Sequence, residues 1–180
     1  MSWNGEWLSA PAYADRIGPA LAVLRTSQDT GEIRRAASTV ENAVAHNQVL
    51  YRGAAQALPS LLDVLDGGEA PAKAAVYDVL TEIVLAEPDD PDVLEACRPY
   101  LRRAVDAAWR DAGGTDEEVV SRTIDFLGNA VADPGLLGRG LREKLAEMPG
   151  EARKKAEEWL EGAALTPPAG APPAGSFCST

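Results

Sequence analysis

The side chains able to do chemistry are few and scattered. His46 is the single histidine of the 180-residue chain and stands beside Asn47 and Gln48 where a helical pattern ends. A general base needs a partner to orient it, and no acid or nucleophile adjoins it; it reads as a helix-end or turn residue. Cys97 occupies an apolar position of a helical pattern, so it reads as a small core residue. With Cys178 it makes neither a disulfide framework nor a metal-binding spacing. The acidic run Glu87, Asp89, Asp90 and Asp92, broken by Pro88 and Pro91, lacks the central glycine and closing glutamate of a calcium loop. It reads as a solvated turn. No glycine-rich loop runs into Lys-Ser/Thr. The expectation is therefore no catalytic residue, no metal and no cofactor. One sharper pattern closes the chain: Ser176-Phe177-Cys178-Ser179-Thr180 sets a thiol among dehydratable hydroxyls. A lanthionine-type modification needs that arrangement, which makes Ser176, Cys178, Ser179 and Thr180 modification candidates. The tail is not a prenylation box, because Cys178 is third from the end.

Whatever positions these residues is helical. Hydrophobic residues make up 46% of the chain and charged residues 25%, a balance that supports a core and a solvated surface. Alanine occurs 32 times; it is the best helix former and allows helices to approach closely. The net charge of −11 repels a phosphate backbone, so nucleic acid and anionic membrane surfaces are disfavoured partners. No apolar stretch approaches a membrane span, and the first residues lack the basic and apolar regions of a signal peptide. The expected location is cytoplasmic.

Helical periodicity covers most of the chain before residue 165. Ile17, Leu21 and Leu24 share one face; Ile33, Ala36, Ala37, Val40 and Val44 form the next helix. A third helix is expected to hold Val49, Leu50, Leu58, Leu61, Leu62 and Leu65, ending at Gly67-Gly68, and a fourth to run from Ala72 to Glu87-Pro88. A fifth spans about residues 92–111, interrupted by Pro99, and a sixth opens on the capping-box match Thr115-Asp116-Glu117-Glu118. Two shorter helices follow near 135–147 and 150–162, the glycines Gly135, Gly138 and Gly140 loosening the connection. The uncharged Pro/Ala/Gly stretch 165–180 is expected to be a disordered tail, leaving residues 1–164 as one domain. Trp7 and Trp159 read as packing residues at the two ends.

A Pro-x-Leu signal returns every 40 residues, at Pro19-Ala20-Leu21, Pro59-Ser60-Leu61 and Pro99-Tyr100-Leu101. Each lies in the first helix of a pair, where proline removes a backbone donor and kinks or restarts the helix. The second helices match too: Tyr77-Asp78-Val79-Leu80 parallels Ile124-Asp125-Phe126-Leu127, and both close with Ala-acid-Pro. Such a period belongs to helical-repeat arrays. Residues 17–45 resemble a HEAT unit, with Pro19-x-Leu21-x-x-Leu24, a turn bearing Asp29, then Ile33-Arg34-Arg35-Ala36-Ala37. The second unit departs from that pattern at Ala74-Ala75-Val76, and the third keeps Asp111 with a shifted Val120-Ser121-Arg122. The stretch from His46 to Leu62 is also similar to a group of actinobacterial HEAT-like proteins. The resemblance covers roughly residues 11–134 and implies an all-α fold: a short right-handed α-solenoid of about three hairpins with two closing helices.

The resemblance implies a binding habit rather than a reaction. The expected function is a non-enzymatic adaptor or regulator, a toxin-neutralising partner included, which holds another protein or a peptide on its second-helix face. Tyr77, Glu82, Glu87 and Asp90 are the candidate contact residues. The alternative is an enzyme-associated role on a HEAT scaffold, such as a chromophore lyase or a substrate for C-terminal modification at Ser176–Thr180.

Overall fold

The computed structural model describes residues 11–165, with side chains from 15 to 162. The Trp3 and Trp7 lead and the C-terminal modification candidates Ser176, Cys178, Ser179 and Thr180 lie outside the described residues, as does the proposed tail beyond residue 165. The described chain is all-helical apart from three two-residue strands. In order it runs α1 (Pro11–Thr26), α2 (Thr30–Val44), β1 (Ala45–His46), β2 (Val49–Leu50), α3 (Gly53–Gly67), α4 (Ala70–Leu85), β3 (Glu87–Pro88), α5 (Pro91–Asp111), α6 (Glu117–Ala130), α7 (Pro134–Lys144) and α8 (Gly150–Leu165). No described helix is long and apolar enough to cross a membrane.

The helices pack in two rows. α2, α4, α6 and α8 each contact the next along one row, and α1, α3 and α5 do so along the other. Each helix of the first row also contacts the one preceding it in sequence, so α1–α2, α3–α4, α5–α6 and α7–α8 are pairs. The core between the rows comes from the 3.6-residue stripes. Leu58, Leu61 and Leu65 of α3 and Val76, Leu80 and Ile83 of α4 have at most 2% of their surface exposed. Burying each such side chain contributes about 1.5–3 kcal/mol. Alanines share this interior, Ala54 and Ala57 in α3 and Ala104 and Ala108 in α5 among them, all fully buried.

Pro19, Pro59 and Pro99 are each inside a helix of the second row, in α1, α3 and α5. All three face outward, where water can take the carbonyl that each proline deprives of its donor. That exposure explains why Pro99 does not interrupt α5, which is continuous for 21 residues.

The turns are closed by aspartates. Asp29 Oδ1 accepts from the Glu32 amide at 2.7 Å and Asp116 Oδ1 from the Val119 amide at 3.0 Å. The cap of α6 is therefore Asp116, one residue later than the Thr115 box expected, because the carboxylate sits at the N-cap and reaches N3 itself. Asp133 Oδ1 accepts from both Gly135 at 2.8 Å and Leu136 at 3.2 Å. Asp133→Ala is expected to cost about 1 kcal/mol and Asp133→Asn much less. Urea denaturation of the two variants checks this, and equal losses would remove the cap from the account.

One expectation fails at the first inter-pair junction. Val49 and Leu50 are not helical: α3 starts only at Gly53, and the preceding residues form an antiparallel hairpin, His46 opposite Val49. Its two-residue turn, Asn47 at φ 53° and Gln48 at φ 63°, has both central residues left-handed, as a tight twisted hairpin requires. Glu87–Pro88 then pairs in parallel with β2. The Glu87 amide donates to the Gln48 carbonyl at 2.8 Å and the Asp89 amide to the Leu50 carbonyl at 3.0 Å. The loop after α4 thus satisfies the backbone of the loop after α2.

Candidate functional site

The sequence-flagged reactive groups do not meet. Cys97 is fully buried in α5, and burial pushes its thiol up to about 12, so it is a protonated packing residue at neutral pH. His46 sits half-buried on β1, with Nδ1 3.1 Å from the Asn42 side-chain oxygen across the helix–hairpin junction. No group of three or more His, Cys, Asp or Glu side chains arranged to hold a metal exists among the described residues. In the acidic run, Asp90 caps α5 through the Asp92 amide and pairs with Arg52. Glu87 is exposed on β3.

Tyr77 is fully buried, which removes it from any contact surface. Its hydroxyl donates to Asp111 Oδ2 at 2.8 Å, and Lys73 Nζ donates to Oδ1 of the same carboxylate at 3.3 Å. Burial first, then the Asp111 charge, pushes the phenol far above its ordinary value. The Tyr77 ring lies 5.9 Å from that of Phe126. This cluster joins α4 to the end of α5 and to α6. The Asp-x-Leu match between the second helices therefore marks interior packing at Tyr77, which is fully buried while Asp78 and Glu82 of the same helix are exposed.

That stripe belongs to the outer face of the α2, α4 and α6 row. Thr30, Arg34, Ser38 and Glu41 of α2 face Asp78 of α4 and Glu118 and Arg122 of α6 around a cleft of about 370 Å³. Its apolar lining is Ala37, Pro71, Ala75 and Val79. The small residues of α4 set its surface back between its neighbours, and Arg34 of α2 reaches Glu118 of α6 at 3.7 Å. Asp78 pairs with Arg122 at 3.4 Å, and Asp125 takes Lys155 of α8 at 2.5 Å. Glu82, the remaining flagged residue, is exposed one turn beyond Asp78.

Desolvation raises the Glu41 carboxyl, and the charges of Glu82 and Asp78 raise it further. Desolvation also raises Asp78, with Arg122 opposing and Asp125 and Glu118 adding to the shift. A carboxyl raised in the fold favours its protonated form. It therefore contributes stability below its unfolded pKa and loses that contribution as pH rises through the folded value.

Sequence reasoning flagged Glu82, which does not line the cleft, and missed Arg34, Glu41, Asp78, Glu118 and Arg122. The available signal was the i, i+4 polar spacing of Arg34–Ser38 and Asp78–Glu82, which alone reads as solvated helix surface. Glycines elsewhere act by absence of a side chain. A Cβ on Gly140 would come within 2.5 Å of the Trp109 ring, and one on Gly128 within 2.3 Å of the Trp159 ring. Gly140 lies inside α7 and seats a tryptophan, where a loosened connection was expected. No family model, curated protein or solved structure matches the chain.

Proposed function

We propose that this protein is a non-enzymatic adaptor or regulator that binds another protein on the α2–α4–α6 face. In this reading α1–α2, α3–α4 and α5–α6 are three HEAT-like hairpins of a short right-handed α-solenoid, closed by α7 and α8. The row of second helices is the natural contact surface of such an array. The observation that carries the proposal is the cleft over α4, with its apolar lining and charged rim drawn from three successive second helices. Toxin neutralisation is one form such binding takes, and a cytoplasmic setting suits a chain whose Cys97 is a free buried thiol.

The test is site-specific photocrosslinking in the native host. A benzoylphenylalanine at Ser38 or Glu82 is expected to yield one discrete partner protein, while the same probe at Asp63 on α3, an exposed position of the other row, yields none. Equal crosslinking from both rows, or none from either, would sink the reading.

A further inference from the structure

A second groove, of about 450 Å³, runs between α1 and α2 at the free end of both rows. On α2 it takes Glu32, Arg35, Ala36 and Thr39, whereas Arg34, Ser38 and Glu41 turn to α4. On α1 it takes Arg16, Pro19, Ala20 and Val23, whereas Gly18, Leu21 and Ala22 line a cleft shared with Ser60 of α3. At 3.6 residues per turn these sets lie on opposite sides of each helix. The groove is therefore on the face of the first pair that points away from the second, the face that α3 and α4 themselves cover with α1 and α2. At the far end of the row, α8 pairs Arg153 with Glu157 and Lys154 with Glu151 along its own surface.

The floor of the groove is Ala20 and Ala36, and half-buried Val23 and exposed Pro19 stand beside it. Charge is confined to its two ends. The three-residue turn between α1 and α2 makes them antiparallel, so Asp15 and Arg16 lie at one end and Glu32 and Arg35 at the other. Each end carries one acid and one base, and no ion pair holds any of the four among the described residues. Their sum is zero in a chain of net charge −11, so this face adds no repulsion of its own between two copies.

We propose that this groove is the surface on which two copies of the chain pair about a two-fold axis. An axis crossing the groove lays its apolar middle on its own copy and brings each end over the opposite end of the second molecule. Asp15 then faces Arg35 of the second copy diagonally across the groove, and Arg16 faces its Glu32. Helices of 16 and 15 residues side by side present a face of roughly 24 Å by 20 Å, so the contact covers on the order of 500 Å² per copy, the size of a weak, reversible association. The cleft over α4 is on the other side of α2 and stays open in both copies, so this inference stands or falls apart from the binding reading above.

Sedimentation equilibrium of the full chain from about 10 to about 500 µM, at physiological salt, is expected to show monomers passing into dimers. Asp15→Arg and Arg35→Glu are each expected to weaken the dimer by about tenfold or more. Asp15→Arg does so although it lowers the net negative charge, which bulk repulsion alone would turn into tighter association. Joining the two substitutions in one chain, or mixing the two single variants, is expected to restore dimers, because opposite charges again face each other. Arg102→Glu makes the same charge change at an exposed position of α5 and is expected to change association less than about twofold. Melting curves confirm that the exposed substitutions leave the fold intact. A chain that is monomeric throughout overturns the proposal, as do single reversals that dimerise like the parent or a double reversal that fails to recover. Monomers that dimerise only once residues 1–10 are removed would assign the groove to those residues and overturn it as well. So would a photocrosslinker at Val23 that captures a different protein in place of a second copy.

Discussion

Phe126→Ala is expected to lower the stability of the fold by about 3–5 kcal/mol, a large share of what a domain of this size possesses. Phe126 is fully buried on α6, tilted at 39° to the Tyr77 ring of α4. It sits where the two central helices of the first row meet. Truncation removes the transfer energy of the ring and leaves a cavity. The neighbouring helices cannot collapse into it without disturbing the Tyr77–Asp111 hydrogen bond. Phe126→Leu is expected to cost less than half as much, because most of the volume remains. Urea denaturation followed by circular dichroism measures both, and a loss below about 1 kcal/mol for the alanine variant would contradict a tightly packed α4–α6 contact.

Asp111→Ala is expected to cost about 2–3 kcal/mol, more than Tyr77→Phe at about 1–2 kcal/mol. The asymmetry follows from what each change leaves behind. Without the carboxylate, the buried Tyr77 hydroxyl loses its charged acceptor, and Lys73 loses its ion pair as well. Without the hydroxyl, Asp111 still has Lys73, and both groups remain partly accessible to water, with 18% and 22% of their side-chain surfaces exposed. In the double variant Tyr77→Phe, Asp111→Ala the orphaned donor is gone, so its cost should fall below the sum of the singles. Additive losses would show that the hydrogen bond contributes nothing beyond packing.

Much of the architecture was legible locally. Apolar residues three and four apart predict α1 to α6, and the stripe residues Ile33, Val40, Val76 and Ile124 are all fully or nearly fully buried. The prolines at 40-residue intervals mark equivalent positions of α1, α3 and α5, and the aspartates at the turns announce the starts of α2 and α6. The hairpin at residues 45–50 was not legible. Two-residue strands are too short to alternate, and Gln48 gives no local hint of a left-handed conformation. β2 is held by backbone bonds to Glu87 and Asp89, almost 40 residues away.

The candidate binding face divides along the same line. Its polar stripes are visible on α2, α4 and α6 taken separately, but a stripe on one helix is what any solvated helix shows. Only the packing of α4 between α2 and α6 gathers Arg34, Glu41, Asp78, Glu118 and Arg122 around one cleft. Packing also overrules the motif at Tyr77, which points inward to Asp111 while Asp78, its neighbour, faces the cleft.

By itself, then, the sequence determined the helical class, the helix boundaries set by proline, glycine and aspartate, and a net charge of −11. These follow from interactions within a few residues, or from composition alone. The tertiary structure decided which carboxylates are paired, which aromatic residues are interior and where the cleft lies. Those depend on charges and surfaces from different helices meeting at a few ångströms, and no local pattern encodes that distance.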